Sequence, residues 1–540
     1  VCRTRTCSFE EVVRVMLTEG DLTDNKFLEE MEKYDLLEDF WKLCEQYFGY
    51  IDVKPTLEKL LVTMFVTYTG RYLHGELPKA WKSFQSYKGG TIIAFLDSLM
   101  NNVLYREAYD RLSFHVETGL NAETALQSYA PEKLLDCDAF LCVDQILVKW
   151  LIERLLSEDI GAKLDQLSIP DICEKRMKMH FGRKTGNAYQ AIRSAYMLAT
   201  AANYQCPDNF KGMIEQYQAK DWMIDQEYRR FYIAFDAMEN GDGFEALKNM
   251  VENIYTNRVL AVQLPKWNAA FHEEDAFLTL PLQRNFYNRY IKNSKERTVV
   301  IISDAMRYEV GGQLYLQMQD DPKCTAKMEA MLGILPSYTR LGMAALLPHS
   351  TLSMKDDYTV LVDGKNCDNL TERQTILQMY QPDALCLQFD DIKNRKIAEL
   401  REIFTGRQLL YVYHNQIDAR GDKANTEDEV FVACKEAIRE IVEFIHRIST
   451  SANTYHFFVT SDHGFLYKRD KITESEKISG VSGKKAFINR RFIVSDSPVM
   501  GDGIDCLSLG KILGNEDTKV VSFPVSSHVF KVSGGGQNYV

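Results

Sequence analysis

Long hydrophobic runs are missing from this sequence. No stretch approaches the ~20 apolar residues that a membrane-crossing helix requires. Positive charge is not in excess: the formal net charge is −12, which argues against a protein that coats nucleic acid over its whole surface but leaves room for a local basic channel. Proline is scarce, at 13 residues in 540, and no low-complexity tract or internal repeat is present. The 12 cysteines are scattered. Only Cys2/Cys7 and Cys137/Cys142 lie close together, and neither pair has the C-x-x-C spacing of a zinc knuckle. They read as small buried apolar residues of a protein in the reducing cytoplasm. No signal peptide is present, and because the chain begins at Val1 rather than Met, natural residues are expected to precede it.

Nucleotide-binding and serine-hydrolase loops are also missing. "GVSGKK" (480 to 485) lacks the Walker A spacing and its Ser/Thr, and "SGGGQNY" (533 to 539) is not G-x-G-x-x-G. No G-x-S-x-G elbow occurs, which removes the α/β-hydrolase type of Ser-His-Asp enzyme.

What is present is an ordinary globular composition, 45% apolar and 26% charged, in a chain long enough for two to four domains. Residues 1 to 275 read as mainly α-helical, an interaction or scaffold domain. "AYQAIRSAYMLATAANY" sets Ala188, Ile192, Ala195 and Leu198 at helical spacing, and "QEYRRFYIAFDAM" does the same with Tyr228, Phe231 and Phe235. From residue 276 the pattern changes. Strand-like runs "TVVIISD", "KMEAMLGIL", "LLYVYHN" and "YHFFVTSD" alternate with helical ones, including a helix at 427 to 447 marked by Val430, Cys434, Ile438, Ile441 and Ile445. Such alternation predicts an α/β fold with a doubly wound, mostly parallel sheet over 276–540.

In open α/β sheets, ligands bind outside the carboxyl ends of the strands. Those ends carry the chemistry. Asp304 closes the first run and reads either as a helix N-cap or as a metal ligand. Thr339, in "LPSYTRLGMAALLP", stands where a helix begins, as a cap or as a hydroxyl facing a phosphate at the positive helix end. Asp418 and Asp422 follow the third run in "YVYHNQIDARGD", and Asp462 and His463 follow the fourth in "FFVTSDHGF". Four acids, an imidazole and a hydroxyl on one sheet edge form the donor set of zinc, manganese or magnesium, since converging acids without a cation repel.

"SDAMRYE", "PSYTRLGMAALLP", "YHNQIDARGD" and "TSDHGF", in this order and spacing, resemble the PglZ family of the BREX type of bacteriophage-defence system. That family lies within the alkaline phosphatase superfamily, and the resemblance is strong over about 280 to 540. It implies an alkaline-phosphatase-like, two-metal hydrolase with a threonine or serine nucleophile. By motif, Asp304, Thr339, Asp462 and His463 would hold one metal and Asp418 with Asp422 the other, as Zn2+ or Mn2+, or as Mg2+. His414 would be an orienting group or a satisfied strand-end histidine, and Arg340 a brace for a phosphate oxygen or a solvated helix-start residue. In the family, the run resembling "GGGQNYV" leads into an H-G-G segment whose histidine completes the centre. The sequence stops at Val540, so a C-terminal truncation is expected, with His528 as the late substitute.

The resemblance further implies a cytoplasmic bacterial protein without membrane contact, working with other BREX proteins. A basic cluster after "SDHG" (Lys468, Arg469, Lys471, Lys477, Lys484, Lys485, Arg490 and Arg491) points to a DNA phosphodiester as substrate, with Lys484, Lys485, Arg490 and Arg491 as contacts. The alternatives are a phosphomonoesterase acting on proteins or small molecules, and a non-catalytic assembly subunit.

Overall fold

A computed structural model describes residues 2, 4, 8–239, 241, 243–273, 276–479, 486–532, 538 and 539. It divides into two compact units, residues 1–199 with 234–247, and residues 200–233 with 248–540.

The first unit is helical. Its helices begin where side chains accept free backbone N–H groups: Ser8 from Glu11, Asn25 from Phe27 and Leu28, and Thr56 from Lys59. The helix Leu57–Tyr72 buries Leu57, Leu60, Leu61, Met64 and Phe65 completely. A burial pattern that wide marks a central helix rather than a surface one. The helix Gly182–Thr200 buries Ile192, Ala195 and Leu198, as its spacing predicts.

The second unit is built on four parallel strands: β1 (Thr298–Ser303), β2 (Leu385–Gln388), β3 (Leu409–His414) and β4 (His456–Thr460), in the order β2-β3-β1-β4. Val300, Ile302, Tyr411 and Tyr413 point into one apolar core, while the alternate residues Val299, Ile301, Leu410 and Val412 are equally buried on the opposite face. Covering both faces is what permits unbroken aliphatic strands. The helices that matter for the site are α1 (Tyr308–Gln319), α2 (Thr339–Ala345), α3 (Leu370–Tyr380) and α4 (Val430–Ser451). A separate antiparallel sheet pairs Ala486–Ile488, Ile493–Ser495, Val520–Pro524 and Ile504–Ser508, in that order. Among the described residues, no helix is long and apolar enough to cross a membrane.

Three details differ from the sequence pattern. "KMEAMLGIL" is not a strand of the sheet: only Leu332 bridges, to Leu282, because the run is broken at Gly333 and ends at Pro336, which has no N–H to donate. The edge strand β2, "LCLQ", is too short to announce itself by period. The compact units also run differently from a boundary at 275/276. Residues 200–233 and 248–273 pack with the α/β unit, tied in by buried charge. Arg229 donates to both Glu309 oxygens, with its Nη2 2.8 Å from Oε2, and Arg307 Nη2 lies 2.9 Å from Asp225 Oδ1.

Candidate metal centre

The parallel register places Ser303 opposite His414, and Ile302 opposite Thr460, so three strands end together. Asp304, Asp418, Asp462 and His463 therefore emerge on the same edge. Asp304 is no helix cap: α1 starts four residues later, and its N-cap is Arg307. Instead Ala305 takes a left-handed conformation (φ 62°), which costs a non-glycine residue about 1 kcal/mol, and its N–H is held by Asp462 Oδ1 at 3.2 Å.

Asp304, Asp418 and His463 offer ligand atoms that all lie within 4.8 Å of one another. His463 is the hinge of the arrangement. Its Nδ1 is 2.8 Å from the Gly464 carbonyl, which assigns a hydrogen to Nδ1 and leaves Nε2 turned to the site, a metal-binding lone pair whenever the ring is neutral. Facing Nε2 are Thr339 Oγ1 at 3.1 Å, Asp304 Oδ1 at 3.3 Å and Asp462 Oδ2 at 3.6 Å. Asp304 Oδ1 and Asp462 Oδ2 are buried, and the His463 ring faces them both. Electron-rich atoms do not converge in a low-dielectric site unless a proton or a cation lies among them. Without a metal, protons take that role. Burial, with the neighbouring Asp304 charge, pushes Asp418 up to about 6 and Asp462 up to about 7. Burial works against the charged form of His463, but Asp304 and Asp462 outweigh it and raise the imidazole to about 10. Carboxylates with one imidazole suit a divalent cation, so the donor set fits a metal.

Thr339 is the first residue of α2. Its cap position belongs to Tyr338, which makes no side-chain cap bond, so the hydroxyl is not spent on capping. Gly342, in the same helix, lies where any Cβ would collide with the Asp462 carbonyl, and this close approach sets α2 against the Asp462 loop. Thr339 also lines a cleft of about 770 Å3 with Asp418, Asp422, His463, Arg340, Arg490 and Arg491.

The remaining expected residues divide. Asp422 is exposed on the rim of that cleft and is not among the three clustered ligands. His414 is buried behind the ligands, 3.0 Å from Ser303 Oγ and 3.1 Å from Glu440 Oε2. Arg340 is exposed and faces Asp368 at 3.7 Å. Arg491 Nη1 donates to the Ser526 and His528 carbonyls, so His528 meets it through its backbone and is outside the ligand cluster among the described residues. The basic cluster is not a continuous free stripe: Lys468 pairs with Glu476, Arg469 lies 3.8 Å from Asp428, and Lys477 is 2.7 Å from Glu474. Lys484 and Lys485 fall outside the described residues.

Sequence pattern missed two side chains that hold the centre. Gln283 Nε2 donates to the Ser461 and Asp462 carbonyls at 2.9 and 2.7 Å, while its Oε1 accepts the Ile334 N–H at 2.8 Å. It thus joins the Asp462 loop to the segment that leads to Thr339. Tyr539 donates its hydroxyl to Asp418 Oδ1 at 3.0 Å, packed where Gly421 has no side chain. Neither carries a local signal, since a glutamine or a tyrosine in a loop has many uses.

A metal-ready cluster of acids and imidazole at the ends of parallel strands, with a hydroxyl at a helix start beside it, defines an alkaline phosphatase-like domain. Comparison with known proteins narrows this class. The family model of the BREX system PglZ alkaline phosphatase-like domain matches residues 284–540, so that part of the chain is similar to this family. The alkaline phosphatase-like protein PglZ of Bacillus cereus (strain H3081.97) is 32% identical over 560 aligned residues, which cover 100% of this chain and 64% of that protein. The alkaline phosphatase-like protein BrxZ of Escherichia coli O9:H4 (strain HS) is 28% identical over 528, covering 92% of this chain and 60% of that protein. The chain thus spans less than two thirds of the length of either relative.

Proposed function

We propose that the α/β unit is a divalent-metal-dependent phosphodiester hydrolase, a nuclease acting on DNA in bacterial cytoplasm as part of BREX defence. The observation that carries this reading is the pair of buried carboxylate oxygens, on Asp304 and Asp462, facing His463 Nε2 beside the Thr339 hydroxyl. Asp304, Asp418, Asp462 and His463 would hold Zn2+ or Mn2+, with Mg2+ as the harder alternative, and Asp422 would serve a second ion at the rim. Such a metal neutralises phosphoryl charge and lowers the pKa of a bound hydroxyl.

Thr339 Oγ1 forms a bond to phosphorus as the bond to the leaving oxygen breaks, and the proton lost from Oγ1 passes through solvent to that oxygen, which departs as the alcohol. Water then cleaves the phospho-threonine and frees the hydroxyl. Arg340, Arg490 and Arg491 line the cleft in which the backbone phosphates would lie, and their charge favours a polyanion. The helical unit would dock the other BREX proteins.

The test is hydrolysis of a chromogenic phosphodiester and monoester side by side, in EDTA and after adding back zinc or manganese. Full activity in EDTA would sink the metal reading. A clear preference for the monoester would make the protein a phosphatase.

A further inference from the structure

Thr339 stands on the walls of two clefts. The larger carries the arginines described above. The smaller, about 310 Å3, takes in Thr339 and Asp304 together with Arg373, Gln388, Tyr413 and Asn415. Nothing in the proposed mechanism uses this second hollow, yet its polar lining is built rather than incidental.

Arg373 lies in the first turns of α3 and is only 9% exposed. Its Nε donates to the Cys367 carbonyl at 2.9 Å and its Nη2 to the Asp368 carbonyl at 3.4 Å, so its recorded hydrogen bonds neutralise none of its charge. The guanidinium lies 4.9 Å over the ring of Tyr413. Tyr413 is 4% exposed, and among the described residues its hydroxyl has only the weakly polar Cys386 thiol to bond to, with no oxygen or nitrogen acceptor in reach. The amino end of α3, at Asn369 and Leu370, forms part of the same wall and adds the positive end of an eleven-residue helix. The acids nearby are already engaged. Asp368 faces Arg340, Glu372 is bound to the backbone N–H groups of Asp368 and Asn369, and Asp304 faces His463.

A desolvated guanidinium, a donor hydroxyl with only a thiol as acceptor and a helix amino end together select an anion rich in oxygen acceptors. We propose that the smaller cleft is a second phosphate subsite. It holds a phosphate that belongs to the same substrate as the phosphorus presented to Thr339. The substrate then carries at least two linked phosphates, as a polynucleotide does, and an isolated diester fills the site only in part. This rests on the reading of Thr339 as nucleophile and adds what that reading leaves open, the substrate's extent.

The experiment compares kcat/KM for the thymidine dinucleotide TpT with its 5′- and 3′-phosphorylated forms, using the protein loaded with zinc or manganese. One phosphorylated form should be favoured by about tenfold or more, the increment of a charge-assisted phosphate contact. Tyr413→Phe, which removes only the hydroxyl, should collapse that ratio toward one, and Arg373→Lys should do so in part. Equal kcat/KM for all three dinucleotides in the wild type overturns the proposal. So does an equal loss on all three in Tyr413→Phe, which would make the hydroxyl a packing element.

Inhibition by inorganic phosphate separates a linked phosphate from a free one. Inhibition relieved by Tyr413→Phe, without any preference among the dinucleotides, would make this a free-ion site and overturn the linked form. Failure of the hydrolase reading is distinguishable by calorimetry on the Thr339→Ala protein. Tighter binding of thymidine 3′,5′-bisphosphate than of thymidine 5′-monophosphate, lost in the added Tyr413→Phe change, supports the subsite even if nothing is hydrolysed. Equal binding of the two overturns it.

Discussion

Both units of the molecule bury carboxylates, but they treat them in opposite ways. In the helical unit Asp144 is fully buried. Its Oδ1 accepts from Arg176 Nε at 2.8 Å and from the Tyr189 hydroxyl at 2.6 Å, and its Oδ2 lies 2.8 Å from Arg176 Nη2. The α/β unit contains a pair of the same kind in Arg229 and Glu309. At its strand ends, however, Asp304 and Asp462 are nearly as hidden from water and, among the described residues, pair with no arginine. Each points one oxygen at the same imidazole nitrogen. A buried acid neutralised within the chain is a structural device, whereas buried acids left facing one another need protons or a cation among them.

Ways to break that comparison follow from the energies involved. The largest effect should come at the strand ends: Thr339→Ala and Asp304→Asn should each lower phosphodiester kcat/KM by ~10³-fold or more, as loss of a nucleophile or of its metal does. Thermal melting should barely change for Thr339→Ala, since this hydroxyl caps nothing. If Thr339→Ala keeps near-normal turnover and Ser337→Ala does not, the nucleophile is the neighbouring hydroxyl.

Asp144→Ala should act in the reverse sense. It strands a fully buried Arg176 and should cost about 3–5 kcal/mol in denaturant unfolding of the helical unit, without touching the chemistry. A loss below about 1 kcal/mol would mean that water reaches Arg176.

The comparison sharpens further when metal is added. At a concentration one hundred times its Kd, zinc or manganese should stabilise the protein by about 2.7 kcal/mol in melting experiments. Asp462→Asn should shrink that increment, and Asp144→Asn should leave it intact.

Proton linkage gives the next effect. Folded-state values of about 6 for Asp418 and about 7 for Asp462 lie above the ordinary carboxylate range, so these groups hold protons that a metal must displace. Metal affinity should therefore rise with pH through that window, by up to about tenfold per pH unit for each proton released, and go on rising above it, because His463, raised to about 10, must also give up its Nε2 proton. A calorimetric Kd independent of pH between 5 and 8 would count against these two acids as ligands.

The smallest effect belongs to the cleft arginines. Arg490→Gln should reduce the salt dependence of DNA binding by about one counterion, which a titration at several ionic strengths would read.

Much of the centre was legible before folding. Asp304, Asp418, Asp462 and His463 each follow an aliphatic run or its turn, and a parallel sheet brings such ends together whatever the intervening loops do. The run at 427 to 447 is matched by helix α4, because its buried face repeats at helical spacing over six turns. "KMEAMLGIL" misled for a local reason: it is as apolar as a strand, but Gly333 and Pro336 deny it the ladder. The alternative meanings of Asp304, cap or ligand, could be separated only by the position of the first helical turn.

What the sequence by itself determined is the class of fold and the chemistry of the strand ends, because hydrophobic period and side-chain type are local properties. The tertiary structure alone decided which groups meet. Gln283 clasps a carbonyl 179 residues away, Arg229 neutralises an acid 80 residues away, and Tyr539 reaches Asp418 across 121 residues. It alone also decided that the Arg176 guanidinium lies 2.8 Å from each Asp144 oxygen, while Asp304 Oδ1 and Asp462 Oδ2 face an imidazole nitrogen instead. All three are buried aspartates. The difference lies only in whether the packed chain brings a guanidinium within hydrogen-bond reach, and no local pattern encodes a contact made across the fold.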